Sequence, residues 1–502
     1  MIRFRSAKKI PSAALPVASD APLDRLFAVE RETWPGHSGV RLVPDGTDAF
    51  ALRALSARAA VRSLDLQYYI WHSDSTGRYL AHEALLAADR GVRVRLLLDD
   101  MDARSRDVVL MALDQHPQIE IRLFNPFATR SGALRTLREL FSRGSRLNHR
   151  MHNKAWIADG RIALVGGRNI GDEYFAASEN VNFVDLDVLL AGRAVEEAER
   201  SFDAYWNCES AVPIARLRRA ARNRMTLDEV RRLALDAIAA RANDDYVQRL
   251  RESQRIEQMV RGEYELSWSG GVTIIADDPR KAVKRAKDIG PGVLQSLTLA
   301  FEGAREELLL ISPYFVPGAG GTQQLQRKAA ATRVAVLTNS LAATDVAAVH
   351  SGYSRYRKAL LQGGVRLFEL KQAPEEELGE DDRPPRMRIG SSKASLHTKA
   401  AIIDRQRTFV GSFNLDPRSA TLNCEMGAWI EHPVIAAQMV ALFELGALPQ
   451  RSFAVTLDPA GHLVWSESAA GSTIQYDRDP HASWRRRLVT WLLRHLPIES
   501  QL

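Results

Sequence analysis

The 502-residue chain is poor in cysteine, with only Cys208 and Cys424. Two cysteines are too few for a disulfide scaffold or a thiolate metal cluster, and they favour a reducing compartment. The chain also lacks any apolar run long enough to span a bilayer, so we expect no membrane-spanning helix. The N-terminal stretch 1–23 contains basic side chains but no apolar core of a secretory signal. These absences leave an ordinary globular chain, whose length predicts two to four domains.

Lysine is scarce as well, because 11 of the 68 basic residues are lysines and 57 are arginines. Against 61 acidic residues, the formal net charge is +7. A basic surface indicates an anionic partner: nucleic acid, phospholipid headgroups or another phosphate. A preference for arginine codons explains the arginine-to-lysine ratio equally well, but it does not explain the net charge.

The chain repeats itself at a constant offset. Strand-like stretches at 63–70, 92–98 and 119–124 recur at 306–315, 333–337 and 365–368. Tyr69 and Tyr314 lie 245 residues apart, and Phe124 and Phe368 lie 244 apart. A constant offset indicates an internal duplication. Because strands alternate with helical apolar spacing, as at 80–90, each half is predicted to be an α/β domain.

These patterns divide the chain into five parts. They are a partly disordered N-terminal segment (1–37), a first domain (38–210), a helical connector (211–268), a second domain (269–470) and a C-terminal amphipathic segment (471–502). In the last part, Trp484, Leu488, Trp491 and Leu492 share one helical face flanked by arginines. That pattern suits a membrane surface, and it suits a helix docked on the domain equally well.

One motif occurs twice, without gaps, as H-x-K-x4-D-x6-G-[GS]-x-N. Its members are His152, Lys154, Asp159 and Asn169 in the first half and His397, Lys399, Asp404, Ser412 and Asn414 in the second. The two histidines are 245 residues apart, the offset of the tyrosines. Two copies in register with a duplication make a chance match negligible.

The motif predicts phosphoryl chemistry without a metal. A histidine and a lysine two residues apart in a strand point to the same face, so two halves related by a pseudo-two-fold axis bring two such pairs into one pocket. Phosphate oxygens are expected to be bound by the two lysines and by Asn169, Asn414 and Ser412. One histidine attacks phosphorus, and the other acts as general acid and base. Asp159 and Asp404 lie at odd offsets in turns, so we expect them to brace a loop.

Each imidazole needs a carboxylate on its second nitrogen to orient it. In the first half Asp185 follows His152 and its Gly/Asn loop, with Asp187 as a reserve, and in the second half Glu425 follows His397 at a similar distance. Both acids lie in what the sequence predicts to be the next strand. The spacing therefore predicts one histidine–carboxylate pair within each half.

The paired motifs resemble the HKD motifs of the phospholipase D superfamily, and residues 38–502 resemble its bacterial cardiolipin synthase branch, type C. The similar segments include 66–72 (LQYYIWH), 166–171 (GGRNIG), 311–317 (ISPYFVP), 411–419 (GSFNLDPRS) and 496–502 (LPIESQL). The resemblance implies two phospholipase D-like α/β domains, each a mixed sheet flanked by helices.

The resemblance also implies a phosphatidyl-histidine intermediate, no metal and no cofactor, and a catalytic site made of the His, Lys and Asp of both motifs. It implies that Glu425 pairs with His397. By analogy His152 is the nucleophile and His397 the general acid and base, although the sequence alone is symmetric on that choice. Gly167 replaces the serine of the family motif, so the two halves are not equivalent.

The implied function is a phosphatidyl transferase that makes cardiolipin from phosphatidylglycerol and a second phospholipid. We expect it to work on an anionic phospholipid membrane, peripherally, at the cytoplasmic face of the bacterial inner membrane, with residues 128–150 as a basic rim of the pocket. A phospholipase D that forms phosphatidic acid would use the same residues. A nucleic-acid phosphodiesterase fits the charge, but the sequence has no nucleic-acid-binding motif, so we expect no nucleic acid partner.

Overall fold

The structure is a computed structural model. It describes residues 9–17, 21–103, 106–127, 148–220, 225–241, 244–261, 263–283, 291–372, 394–469, 472–496 and 499–501. Most of the predicted basic rim at 128–150 therefore lies outside the described residues. Two long sheets, one in each half of the chain, dominate the described part.

The first sheet has nine strands among the described residues. They are β1 (Ser38–Val43), β2 (Ser63–Tyr68), β3 (Arg93–Asp99), β4 (Ile119–Phe124), β5 (Ala155–Ala158), β6 (Ile162–Gly166), β8 (Asp187–Gly192), β9 (Ala211–Pro213) and β10 (Ser267–Ser269). Their order across the sheet is β10-β1-β8-β6-β5-β2-β3-β4-β9. Strands β2, β3 and β4 are parallel to one another, and the other neighbours are antiparallel.

The second sheet has ten strands among the described residues. They are β11 (Val272–Ala276), β12 (Glu307–Ile311), β13 (Arg333–Asn339), β14 (Arg366–Leu370), β16 (Ala400–Ile403), β17 (Arg407–Gly411), β18 (Met426–Glu431), β19 (Ser452–Leu457), β20 (Leu463–Ala469) and β21 (Ser472–Tyr476). Their order is β11-β18-β17-β16-β12-β13-β14-β19-β20-β21. Strands β12, β13 and β14 are again parallel.

The two sheets follow one plan. The order β1-β8-β6-β5-β2-β3-β4-β9 in the first matches β11-β18-β17-β16-β12-β13-β14-β19 in the second. Both sheets are mixed, and helices flank both. The predicted fold class, two duplicated α/β domains, is confirmed.

Helices fill the connections between the strands. They are Pro22–Arg25, Ala28–Thr33, Gly46–Ala59, Ser75–Asp89, Asp100–Ala103, Asp107–Leu113, Arg193–Asn207, Leu227–Ala240, Asp245–Glu252, Gln254–Arg261, Val293–Gly303, Gly318–Ala329, Ala347–Ser354, Arg357–Gln362, Pro417–Thr421, Pro433–Ala447 and Trp484–Arg494. Short 3-10 helices are Asp172–Tyr174, Ile214–Ala220, Pro279–Ala282 and Glu499–Gln501.

A shared core holds the two halves together. In β5, Ile157 faces this central core while Trp156 faces the outer core of the first half, because successive strand residues point to opposite faces. In β16, Ile402 faces the same central core and Ile403 the outer core of the second half. Helices Arg193–Asn207 and Pro433–Ala447 contribute to the central layer. The two halves therefore share one central core, and each half also has an outer core of its own.

Strand pairing also crosses from one half to the other. Strand β7 (Asn182–Val184) of the first half pairs in parallel with β15 (Ala394–Leu396) of the second. At the equivalent place, Met151 forms a parallel bridge with Cys424. Because β15 ends directly before His397 and Met151 directly precedes His152, these crossings position both histidines.

The segments outside the two domains contact them. Strands β9 and β10, at the two ends of the 211–268 segment, pair with β4 and β1 of the first sheet. In the described residues, one 3-10 helix and three α-helices lie between these two strands. In the N-terminal segment, Asp24 accepts hydrogen bonds from Arg62 and Arg161. None of the helices within the described ranges is long and apolar enough to cross a bilayer.

Candidate active site

Each of the two histidines lies next to the predicted orienting acid of the other half. The backbone N–H of His152 donates to the carbonyl of Cys424 at 2.8 Å, which places His152 next to Glu425. The N–H of His397 donates to the carbonyl of Val184 at 2.8 Å, which places it next to Asp185. The two parallel contacts are therefore equivalent under the pseudo-two-fold axis.

The histidine–carboxylate pairs are crossed, and the predicted pairing within each half is wrong. His152 Nδ1 lies 2.8 Å from Glu425 Oε2, and His397 Nδ1 lies 2.5 Å from Asp185 Oδ2. The pairing of Glu425 with His397, which the family resemblance implied, is corrected in the same way. The physical reason is the pairing of β15 with β7 and of Met151 with Cys424. These contacts place each histidine next to the segment of the other half that carries the acid.

The reserve acid, Asp187, has a different place. It is buried in β8, and Arg53 donates to its Oδ2 at 2.8 Å. Its charge is therefore balanced within the first domain, and it orients neither histidine.

The His152 ring has a defined proton. Besides Glu425, the backbone carbonyl of Ser412 lies 3.1 Å from His152 Nδ1. Both neighbours are acceptors, so Nδ1 carries the hydrogen and Nε2 keeps its lone pair when the ring is neutral. Burial lowers the pKa of His152 to about 4, although the Glu425 charge opposes that shift. His152 is thus a neutral imidazole near pH 7, with Nε2 able to attack.

His397 has a mixed environment. Burial and the charge of Lys399 lower its pKa, while the charge of Asp185 opposes them. Lys399 Nζ lies 2.9 Å from the same Nδ1 atom that faces Asp185. The rings of Tyr174 and Phe183 pack against the imidazole with centroids 5.3 and 5.0 Å away. These contacts fix the ring plane and leave Nε2 as the atom available for proton transfer.

Both orienting carboxylates are ionised. Burial raises the pKa of Glu425 and of Asp185, but in each case the paired histidine and a nearby lysine outweigh burial and hold the pKa below its usual value. A charged carboxylate on Nδ1 stabilises positive charge on the ring. Glu425 and Asp185 are therefore suited to be positioning residues.

The two lysines take equivalent positions. Lys154 Nζ donates to the carbonyl of His152 at 2.6 Å, and Lys399 Nζ donates to the carbonyl of His397 at 2.5 Å. Burial lowers the pKa of Lys399 to about 8 and that of Lys154 well below its usual value. The charges of Glu425 and Asp185 act on both lysines and oppose that shift, and a bound phosphate anion would add a further opposite charge that favours the ammonium form.

Gly167 and Ser412 explain the asymmetry of the two motifs. Ser412 Oγ donates to Glu425 Oε2 at 2.5 Å and accepts from the backbone N–H of Met426. Ser412 thus supports Glu425, and its binding of phosphate stays a prediction. A Cβ on Gly167 would lie 2.2 Å from Asp185 Oδ1, so the missing side chain makes room for the shorter acid.

The two asparagines differ. Asn169 Nδ2 donates to the hydroxyl of Tyr174 at 2.9 Å, and its Oδ1 accepts from the N–H of Ile70. Asn414 is 4% exposed, and its Oδ1 has no hydrogen-bond partner among the described residues. A phosphate-binding role remains a prediction for both.

Asp159 and Asp404 lie at the far ends of β5 and β16, in the turns that follow. Both have positive φ, 52° and 51°, a conformation that aspartate tolerates in turns. Asp159 accepts hydrogen bonds from the N–H groups of residues 61, 62 and 63, and Asp404 from those of residues 305, 306 and 307. Each aspartate therefore braces the start of the neighbouring strand, as its odd offset suggested.

Sequence reasoning missed two residues that support the histidines. Asp99 Oδ2 accepts from the N–H of Met151 at 2.9 Å, and Asn339 Oδ1 accepts from the N–H of Leu396 at 2.9 Å. They end β3 and β13, the matching strands of the two halves. The sequence did contain a signal for them, because each of two duplicated apolar strands ends in a polar residue.

One group of possible metal ligands occurs in the described part of the chain. The ligand atoms of His72, Asp74 and Glu173 lie within 4.8 Å of one another. None of them belongs to the paired motifs. Asp74 caps the helix Ser75–Asp89 and also accepts from the N–H of Asp172, so its oxygens already have structural roles.

The comparison with known proteins identifies the family. The sequence profile described as "Cardiolipin synthase, PLD-like domain" matches residues 55–206 and 297–445, one match in each half. The chain belongs to this family of phospholipase D-like proteins. The motif residues of each half lie inside the matched ranges.

Relatives of this family cover the whole chain. Cardiolipin synthase C of Escherichia coli is 40% identical over 498 residues, which is 98% of this chain and 99% of the relative. An uncharacterised protein of Helicobacter pylori is 31% identical over 504 residues, 98% of this chain and 96% of the relative. Among solved structures, phosphatidylserine synthase of Haemophilus influenzae matches 83% of this chain and 87% of its own with a TM-score of 0.53 and 14% identity. That last likeness concerns the fold alone.

Proposed function

We propose that the chain is a phosphatidyl transferase that makes cardiolipin from phosphatidylglycerol and a second phospholipid through a phosphatidyl-histidine intermediate. The observation that carries the proposal is the crossed pair of buried histidines, one of which, His152, is neutral with a free Nε2 atom. The 40% identity to cardiolipin synthase C over nearly the full length supports the choice of lipid substrates.

In the first step, His152 Nε2 attacks the phosphorus of the donor lipid. The phosphorus–nitrogen bond forms as the bond to the headgroup oxygen breaks, and that oxygen takes the proton of His397 Nε2. The headgroup alcohol leaves, and the phosphatidyl group stays on His152. The Glu425 carboxylate at 2.8 Å stabilises the positive charge that develops on the His152 ring.

In the second step, a phosphatidylglycerol headgroup enters as acceptor. His397 Nε2, now neutral, removes the proton of its terminal hydroxyl, and the oxygen attacks phosphorus. The bond to His152 breaks, cardiolipin leaves, and both histidines return to their starting states. Asp185 at 2.5 Å stabilises His397 while that ring carries the proton.

The lysines supply the electrostatic part of the mechanism. The phosphodiester carries a negative charge that grows on its non-bridging oxygens in the transition state. Lys154 and Lys399 are buried on the two sides of the pseudo-two-fold axis, each two residues after a histidine. A bound phosphodiester raises the depressed pKa values of Lys154, Lys399 and His397, because it adds a nearby opposite charge.

The proposed substrates place the protein at a membrane. We infer that it acts peripherally on an anionic phospholipid membrane, at the cytoplasmic face of the bacterial inner membrane. The net charge of +7 supports contact with an anionic membrane.

Expression in bacterial cells that lack cardiolipin synthases, followed by lipid chromatography and mass spectrometry, tests the function. Cardiolipin is expected with the unchanged chain, and His152→Ala and His397→Ala are the matched inactive controls. Accumulation of phosphatidic acid without cardiolipin would favour the hydrolase. If the purified protein cleaves DNA and neither lipid product forms, the proposal is wrong.

A further inference from the structure

The C-terminal helix Trp484–Arg494 is attached to the second domain along one side only. Ser483 caps its start, with Oγ accepting from the N–H of Arg486. Arg487 donates to the carbonyl of Asp479 at 2.8 Å, and Arg486 donates to the carbonyl of Thr344. Thr490 is buried at 7% exposure. Positions 486 and 490 lie one turn apart, so they define the attached side.

Arg355 fixes the end of the helix. It donates to the carbonyl of Leu496 at 2.8 Å and forms an ion pair with Glu499 at 3.0 Å. The hydroxyl of Tyr356 donates to the same carboxylate at 2.6 Å. These contacts hold the helix in one orientation on the domain.

The opposite side of the helix is apolar and exposed. Trp484, Leu488, Trp491 and Leu492 are 67%, 46%, 58% and 52% exposed. They lie at positions i, i+4, i+7 and i+8, which form one stripe on a helix. Leu496 extends the stripe at 47% exposure. A cluster of large exposed apolar side chains marks an interaction surface.

The charge of the helix selects the partner. Residues 484–494 contain four arginines and no acidic residue. Arg485 and Arg494 are exposed beside the apolar stripe. A helix with an apolar face of tryptophan and leucine, flanked by basic residues, is typical of helices that lie in the headgroup region of a bilayer with anionic lipid. A hydrophobic protein partner would not require this excess of positive charge.

The helix is also anchored close to residues of the candidate active site. Thr344, which anchors Arg486, precedes Asp345, whose Oδ2 accepts from the hydroxyl of Tyr314 at 2.7 Å. Asp345 is close enough to Lys399 for its charge to raise the lysine pKa. Further along the C-terminal segment, Asn148 donates to Gln501 at 2.6 Å, four residues before His152. The C-terminal segment thus contacts residues of both halves that lie near the candidate active site in space or in sequence.

We propose that the exposed face of helix Trp484–Arg494 docks the protein on an anionic phospholipid bilayer, which brings the candidate active site close to the membrane. The proposal rests on the proposed function, since that function requires lipid substrates to reach the site. It also resolves the alternative that the amphipathic pattern left open: the helix is docked on the domain by one face and presents the other.

Binding to vesicles of phosphatidylcholine with phosphatidylglycerol tests the docking surface directly. The variant Trp484→Ser, Leu488→Ser, Trp491→Ser, Leu492→Ser should bind at least tenfold more weakly in sedimentation. The matched control, Val29→Ser, Leu235→Ser, Leu299→Ser, replaces equally exposed apolar residues elsewhere and should bind like the unchanged protein. Equal binding of the helix variant and the unchanged protein would overturn the proposal, and so would failure of the unchanged protein to bind vesicles.

Arg485→Gln and Arg494→Gln test the role of charge. Each should weaken binding to anionic vesicles by roughly fivefold and leave binding to pure phosphatidylcholine unchanged. Light scattering of all variants tests whether the exposed face of the helix binds a second copy of the chain instead of a membrane. If the unchanged protein is a dimer and the helix variant a monomer, the face binds a second copy and the proposal is wrong.

Activity on a dispersed substrate separates this proposal from the proposed function. The helix variant should keep its turnover of monomeric dihexanoyl phosphatidylglycerol and lose turnover of vesicle lipid, with an unchanged melting temperature. If the unchanged protein binds vesicles but transfers no phosphatidyl group in either assay, the proposed function fails and the docking surface stands.

Discussion

Glu425 and Asp185 show at the level of single residues how the two halves depend on each other. Each carboxylate lies in one half and orients the histidine of the other, at 2.8 Å and 2.5 Å. The acids themselves could be predicted, because each follows a Gly-x-x-Asn loop in the sequence. Their partners could not, because the pairing depends on strand contacts between segments that lie far apart in the sequence, one in each half.

Glu425→Gln and Asp185→Asn test the crossed pairing. Glu425→Gln should change the ¹⁵N shifts of His152 and leave those of His397 in place, because an amide no longer fixes the Nδ1–H tautomer. Asp185→Asn should do the reverse. Each variant should lower kcat by roughly 10³-fold or more. Spectra of selectively labelled histidine give the answer, and a Glu425→Gln variant that perturbs only His397 would contradict the pairing.

Lys399 should make anion binding sensitive to pH. Its pKa is lowered by burial to about 8, so the free lysine loses its proton as the pH rises through 8 and must regain it to bind an anion. Sulfate affinity, measured by calorimetry, should fall about tenfold between pH 7 and pH 9. Lys399→Met should bind sulfate weakly and without this step. An affinity of the unchanged protein that is constant from pH 7 to pH 9 would contradict the assignment.

At the scale of elements, the histidines and lysines of the site directly precede two equivalent antiparallel strand pairs, β5 with β6 and β16 with β17. Strands β5 and β16, Ala155–Ala158 and Ala400–Ile403, are each a short apolar run between a motif lysine and a turn aspartate, a pattern typical of a buried strand. The predicted strand at 306–315 is too long. Strand β12 ends at Ile311, because Ser312 uses its hydroxyl to bind the carbonyl of Tyr314 and Pro313 has no N–H to donate.

The predicted helix at 80–90 shows the opposite error. The observed helix, Ser75–Asp89, begins five residues earlier, where Asp74 accepts from the N–H of Gly77 and caps the first turn. The apolar spacing of the later turns marks only the part of the helix that faces the core, and the capping residue sets the true start.

The turn aspartates should act on stability rather than on chemistry. Asp159→Ala leaves three backbone N–H groups of residues 61, 62 and 63 without their acceptor, at a cost of roughly 3 kcal/mol. Asp404→Ala should cost less, because Asp404 is more exposed and water can replace it. Thermal unfolding ranks the two variants.

Both aspartate variants should keep turnover within about tenfold at a temperature where they remain folded, since the histidines and lysines are unchanged. A loss of activity as complete as that of His152→Ala, with an unchanged melting temperature, would instead make the aspartates part of the chemistry.

At the scale of the whole molecule, duplication explains both the symmetry and its limit. Eight strands follow the same order in each sheet, and one central core joins the sheets. The duplicated motifs and their constant offset predict this arrangement from the sequence. The sequence also shows that Gly167 stands where the second half has Ser412. The reason for this difference is seen only in the folded structure, where the Asp185 carboxylate occupies the space that a side chain at position 167 would need.

The symmetric architecture allows either histidine to be the nucleophile, and we propose His152. The measurement that tests this most directly is mass spectrometry after rapid acid quench of the enzyme with a phospholipid donor and no acceptor. We expect a phosphatidyl adduct on the peptide that contains His152, and no adduct in the His152→Ala variant. An adduct on the peptide that contains His397 would contradict it.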